Sequence, residues 1–376
     1  MKIRHLALSL SVAMGALLAG TVHAAELKIA IVQSLTGPAA FIGAPAAEGL
    51  KMAFDEANEK KLLGDNTITY STEDDASDKA QVITLINRHA SDPATVFFAG
   101  PTSGAVSGVA AKAANDAGIP MMTVSNVVEV REAGPWSFIT TQPGPVAVPR
   151  IAEYAAKTVG VKTCQTVGIT DNESYVTQAR IFTDTLAKNN VEVMEGVGLK
   201  STETDFSAVS VRVVDGGADC VFVAAPASMA ANIIIQLKQA GLDPETKVFG
   251  MTSMASPDLI RIGGEAVEGV MFLADWVPGG SSPEGKSFAE AFKARTGRDA
   301  GNWDAIGYSS GMVIVADIKA AGDNPTREAV RDALTASKDV PVVVGDGKFS
   351  LDKDKVPHFG INVLTVKDGA FVAAPQ

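Results

Sequence analysis

Leu27-Lys28-Ile29-Ala30-Ile31-Val32, then Ser34-Leu35-Thr36-Gly37-Pro38 and Phe41-Ile42-Gly43, is the stretch whose reading decides the fold. The β-branched run reads as a buried strand, and the Gly- and Pro-containing segment after it as a loop. Beyond the loop, Ala46, Leu50, Ala53, Phe54 and Ala57 share one face at helical spacing while Glu48, Lys51, Asp55 and Glu59 take the other, which predicts an amphipathic helix. Strand, Gly-containing loop and helix N-terminus are the unit from which an open α/β sheet builds a ligand site. Spare backbone N–H groups and the positive end of the helix dipole face the crevice at the strand's carboxyl end. Taken alone, the stretch reads more readily as an ordinary βα turn, so the rest of the chain has to decide.

The residues before it read as an export signal. Lys2 and Arg4 make a positive start, Leu6 to Gly20 is apolar and uncharged, and Val22-His23-Ala24 is a small-residue cleavage site, so residues 1–24 are expected to leave. A membrane span needs roughly 20 apolar residues and different flanks. The mature chain is therefore expected to be periplasmic. No cysteine stands at the cleavage site to carry a lipid. With 32 Lys+Arg against 43 Asp+Glu the chain is acidic, which argues against nucleic acid or an anionic membrane as partner. Its 376 residues and 46% hydrophobic content exceed what one core organises, so two lobes are expected. Cys164 and Cys220 admit two readings in an oxidising compartment: a disulfide, if the strands that follow them are parallel neighbours, or two buried thiols.

From Asn66 the pattern alternates: strand 67–72, helix 79–90, strand 95–99, helix 105–117, strand 119–124. Short apolar runs between amphipathic segments mark a parallel sheet covered on both faces. After the Pro/Gly-rich break Thr140-Thr141-Gln142-Pro143-Gly144-Pro145 a second round begins, with helices 146–159, 175–189, 206–214 and 229–240 and strands 166–170, 191–197, 221–224 and 247–249. Two doubly wound lobes follow. A second break spans Asp275 to Pro283, and the helices after it (284–296, 304–321, 326–336) have no sheet of their own, so the chain must cross between lobes more than once. A strand pair, 361–366 and 370–372, ends the pattern.

With Ser34-Leu35-Thr36-Gly37-Pro38, Glu73-Asp74-Asp75, Gly100-Pro101-Thr102-Ser103 and Gly263 to Val270 in that order, the chain resembles the periplasmic solute-binding proteins of the leucine/isoleucine/valine-binding type, the receptors of branched-chain amino acid ABC importers. The likeness runs over essentially the whole mature chain. It implies the type I periplasmic binding fold: two Rossmann-like α/β lobes on a three-crossing hinge, residues 25–142 and 276–348 in one, 143–275 and 349–376 in the other. The third crossing, near Phe349, rests on the resemblance. So do the partners: a small-molecule ligand and an ABC-type permease, with a monomeric receptor and no cofactor.

The resemblance also implies the ligand contacts. In lobe one these are Phe41 and Ile42 in the first loop, Thr102, Ser103 and Gly104 around the ligand carboxylate, and Ser125, Asn126 and Val127 around its amine. Trp303 is an aromatic at a helix head. Lobe two contributes Tyr175, Pro226 and Thr252. A plain N-cap reading competes for Thr102 and Ser103, and a core or rim reading for Tyr175 and Trp303. Thr252 departs from the family pattern, which places near this point an acidic residue that pairs with the α-ammonium group. A threonine cannot supply that charge, and burying an unpaired ammonium is costly. The expected ligand is thus a carboxylate with an apolar or aromatic body, in which an ammonium group is not required.

Enzyme readings fail on spacing. Only His89 and His358 remain after the signal leaves, and HExxH, CxxC and a dinucleotide GxGxxG are all absent. Glu73-Asp74-Asp75 is expected to cap the helix near Asp78 rather than to hold a metal. A ligand-sensing module of a signalling system is the alternative. Transport is preferred because no segment after Gln376 offers a membrane span or signalling domain.

Overall fold

The computed structural model describes residues 25–280 and 282–375; the expected export signal lies outside them. The opening strand runs Glu26–Gln33 and sits inside a five-stranded sheet. Its neighbours are Thr67–Asp74 on one side and Thr95–Ala99 on the other, followed by Met121–Thr123 and Ser137–Ile139, every pairing parallel. Side chains alternate across a strand, so both faces of a buried one must be apolar. Ile29 and Ile31 join a core beneath the helices Ala40–Glu59 and Asn302–Ala320, while Ala30 and Val32 join a second core beneath Lys79–Ala90 and Gly104–Ala117.

The second sheet carries the later strands in the order Ala370–Ala373, Asn362–Lys367, Met271–Ala274, Lys247–Gly250, Cys220–Ala224, Thr163–Ile169 and Glu192–Val193, with Val197–Leu199 also on Thr163–Ile169. It is parallel except for the C-terminal hairpin. Cys164 lies directly opposite Cys220 on neighbouring parallel strands and the two form a disulfide across 4.5 Å between Cα atoms, which closes the question left by the sequence.

Several elements differ from expectation. The strand expected over 191–197 is split in two, the register against Thr163–Ile169 shifting by one residue between the Cys164–Val193 and Val167–Val197 pairs, where Gly196 packs against Thr166. The helix expected from Val146 starts at Gly144 and passes into a π turn, Tyr154–Val159. The strand Met271–Ala274, the helix Pro257–Gly263 and the antiparallel set Val340–Pro341, Lys348–Leu351 and Pro357–His358 carry too few residues to show a period.

The helix Asn302–Ala320, without a sheet of its own, lies along Ala40–Glu59 at a distance only glycine allows. A Cβ on Gly49 would stand 2.1 Å from the Asp304 carbonyl oxygen, and one on Gly307 2.1 Å from that of Ala46.

Three chain segments meet beside the sheets. Thr140, Thr141 and Gln142 are buried, as are Asp275 and Trp276. Gln142 Nε2 donates to the Gly360 carbonyl at 3.2 Å, and Gly345 N–H to that of Asp275 at 2.7 Å. Phe349 and Phe359 pack in the core of the first sheet, and the chain joins the second sheet only at Asn362.

Candidate functional site

Two loops at the carboxyl end of the first sheet are locked together. Gly100 has φ +141° and touches the opening strand, where a Cβ would fall 1.7 Å from Val32 O, so the loop Gly100–Gly104 requires glycine at its start. Thr102 is buried, and its hydroxyl donates to Gln33 Oε1, while Gln33 Nε2 donates to Ala99 O at 3.1 Å. The Thr123 hydroxyl donates to Pro101 O and accepts from Ser125 N–H at 3.0 Å. Gly104 closes the join, its Cβ position 3.0 Å from Val127 Cγ1 and 3.6 Å from Ser125 Oγ.

Ser103 stands in front of the helix Gly104–Ala117 in extended conformation, and its hydroxyl makes no capping bond. Competition from the cap, which the sequence left open, is therefore absent. First-turn amides have no intrahelical acceptor and carry partial positive charge. Of the two hydroxyls expected at a carboxylate, Thr102's is committed to Gln33, leaving that of Ser103. Asn126 and Val127 are half-buried beside it, and so are Phe41 and Ile42 in the first turn of the helix Ala40–Glu59, where a loop had been expected.

On the second sheet, Tyr175, Pro226 and Thr252 come from three loops. Tyr175 lies in the first turn of Glu173–Lys188, which Asn172 caps by accepting from Ser174 N–H. Burial pushes its phenol up to about 12, against the pull of Ser253. Ser253 in turn donates to Ala225 O at 3.0 Å, next to Pro226, and shares a 3-10 turn with Thr252. The three loops are thus one surface with Ser253 at its centre, a residue the sequence did not single out.

Trp303 is buried in the first core near the head of Asn302–Ala320. Asp304 fixes that helix head by accepting from Gly301 N–H at 2.8 Å and from both Arg298 terminal nitrogens at 2.7 Å. Asn302 Oδ1 accepts from the backbone N–H of both Asp275 and Trp276 at 2.9 Å, tying the helix head to the passage between sheets.

The acidic run does not cap the following helix: Asp74 and Asp75 brace the first loop, and Glu73 pairs with side chains near that helix's far end. Asp74 accepts from Leu35 and Thr36 N–H, Asp75 from Ser34 Oγ, and Glu73 pairs with Arg88 and His89. The cap itself is Asp78, accepting from Gln81 N–H at 2.8 Å. Among the described residues no cluster of His, Cys, Asp and Glu could hold a metal, and no helix is long and apolar enough to cross a membrane. A surface hollow of about 400 Å³ between Ala40–Glu59 and Pro283–Thr296 is lined by Lys51, Asp55, Arg295 and Arg298, whose charges pair among themselves or with Glu48, Glu59 and Asp304. None of the expected ligand contacts lines it.

A model of the family described as periplasmic binding protein matches residues 26–370. The chain belongs to that family. Among curated relatives, the leucine-, isoleucine-, valine-, threonine- and alanine-binding protein of Pseudomonas aeruginosa is 26% identical over 324 residues, 83% of this chain and 82% of the relative. The Leu/Ile/Val-binding protein of Escherichia coli is 26% identical over 283 residues, 72% of this chain and 73% of its own. A leucine-binding protein from Thermotoga maritima superposes with a TM-score of 0.83 at 23% identity, covering 93% of this chain and 98% of that one. A solute-binding protein of Rhodopseudomonas palustris in complex with benzoate gives 0.80 at 19%, covering 93% and 95%. These structures share the type I periplasmic binding fold with this family member.

Proposed function

We propose that this chain is the periplasmic receptor of an ABC importer, capturing a small ligand with a carboxylate and an apolar body between two hinged lobes and delivering it to the permease. The observation that carries the reading is the uncommitted Ser103 hydroxyl at an uncapped helix N-terminus, at the carboxyl end of a parallel sheet, in a chain that matches the family over residues 26–370. A carboxylate is the natural occupant of such an end. Tyr175 and Trp303 supply apolar cover, and Thr252 adds no charge. The ligand class is a branched-chain or other hydrophobic amino acid, or an aromatic acid; relatives named for the first kind and a structural neighbour holding benzoate support that range.

In this reading residues 25–142 and 276–348 form one lobe and 143–275 and 349–376 the other. The packing of Phe349 and Phe359 in the first core favours a third passage closer to residues 360–361. The exported receptor acts as a monomer. Ligand shifts the balance toward a closed form only by binding it more tightly than the open one, so both lobes must contribute contacts.

Titration calorimetry of the mature chain against leucine, valine, phenylalanine and benzoate tests the reading, which predicts binding of at least one. Tyr175→Ala weakens that binding about tenfold or more, with far-ultraviolet dichroism showing the fold retained. No binding by any of the four, or unchanged affinity in the variant, counts against it.

A further inference from the structure

The three passages between the sheets are fastened to elements of the first one. The hydroxyls of Thr140 and Thr141 donate at 3.0 Å to Thr123 O and Val124 O, at the end of the strand Met121–Thr123. Asp275 and Trp276 N–H donate to Asn302 Oδ1 at the head of the helix Asn302–Ala320, and Asp275 O accepts from Gly345 N–H at 2.7 Å. In the third passage Phe359 O accepts from Asp346 N–H at 2.5 Å, and Gly360 O from Gln142 Nε2 at 3.2 Å. Gln142 is thus a side chain of one passage that holds another.

Two of these fastenings come from one loop, residues 342–347. Val342, Val343 and Val344 lie in the first core, and Val343 N–H donates to Ser309 Oγ at 3.2 Å, which anchors the loop to the helix Asn302–Ala320. Its tip meets the third passage too closely for side chains. Gly345 has φ +56°, and a Cβ there would fall 1.7 Å from Phe359 O; Gly360 has φ +80°, and a Cβ there would fall 2.6 Å from Asp346 Cγ. Breaking a buried backbone bond without a replacement partner is costly, so the fastened segments move with the first sheet. Ala274 and Asn362, by contrast, pair with each other in the second sheet. A turn of one lobe on the other is therefore left to Pro143, the junction between Ala274 and Asp275, and Ile361.

We propose that the loop 342–347 and Gln142 form a clamp on the passages that sets the resting balance of open and closed forms, so that affinity is tuned by residues outside the ligand cleft. This rests on the receptor reading above. A side chain that touches ligand contributes differently to ligands of different shape. A change in the population of the binding-competent form instead multiplies every apparent affinity by one factor, a signature that no ligand contact shares.

Two variants loosen the clamp: Gln142→Leu keeps the side chain's bulk and removes its donor, and Gly345→Ala sets a methyl against Phe359 O. Calorimetry on the mature chain with leucine, valine, phenylalanine and benzoate is expected to show every measurable dissociation constant change by a common factor, about threefold or more, with far-ultraviolet dichroism intact. Small-angle scattering of the ligand-free chain gives the sign. A variant with a larger radius of gyration binds every ligand more weakly, and one with a smaller radius binds every ligand more tightly. Factors that differ among the ligands, affinities and radii unchanged in both variants, or a sign opposite to the scattering change overturn the clamp and leave the receptor reading standing. Failure of all four compounds to bind overturns the receptor reading; the radii then decide the clamp alone, and radii unchanged in both folded variants overturn it too.

Discussion

Thr102 and Ser103 are adjacent hydroxyl residues with different duties. Thr102 is spent on Gln33, a buried amide that also braces Ala99, so Thr102→Val leaves the Gln33 oxygen without its donor and costs about 1–3 kcal/mol in denaturant unfolding. Ser103→Ala removes a hydroxyl that caps nothing; unfolding stability stays within about 0.5 kcal/mol while affinity for a carboxylate ligand falls about tenfold. The reverse pattern would assign the ligand contact to Thr102. Both residues were legible as candidates from their place between a strand and a helix. Their division of labour was not, because Gln33 lies 69 residues away and reaches Thr102 only through the pairing of neighbouring strands.

At the level of elements, the strands and longer helices followed from period and punctuation, and their partners did not. Glycines in Ala40–Glu59 and Asn302–Ala320 look like weak points in two helices until the axes are seen to touch through them. Gly307→Ala places a methyl against the Ala46 carbonyl and is expected to cost about 1–3 kcal/mol, read as a lower thermal midpoint. An unchanged midpoint would mean the contact relaxes freely. The disulfide works on a similar scale. Cys164–Cys220 closes a sequence separation of 56, for which chain entropy gives about 4 kcal/mol, so reduction should lower the unfolding free energy by up to that amount. Two cysteines in a chain allow one bridge; that these two face each other is a property of strand order.

Across the whole molecule, pH should act through buried acids. Desolvation raises Asp317 to about 7, Ser337 opposing, and raises Asp275 to about 7 as well. Unfolded aspartate titrates near 3.9, so between about pH 4 and 7 the folded protein holds more protons than the unfolded chain and its stability falls as pH rises. The opposite class includes Glu73, where burial pushes up but hydrogen bonds from Arg88 and His89 outweigh it and hold the group low. Its contribution is complete above the unfolded value and is lost only in more acidic solution. The thermal midpoint is therefore higher at pH 5 than at pH 8, and Asp317→Asn flattens that difference; a midpoint that rises toward pH 8 would reject this account.

By itself the sequence determined the two rounds of strand and helix, the family likeness and the hydroxyl and aromatic candidates, because hydrophobic period, Gly and Pro punctuation and local capping chemistry act over a few residues. Only the tertiary structure decided that Glu73, Asp74 and Asp75 serve a loop and a neighbouring helix, that Cys164 meets Cys220, that Gln33 braces Thr102 and Ala99 while Ser253 holds Ala225, and that Asp275 lies shut away beside Asn302. Each of those outcomes depends on which strand lies next to which and on what packing removes from water, and no short stretch of chain carries that information.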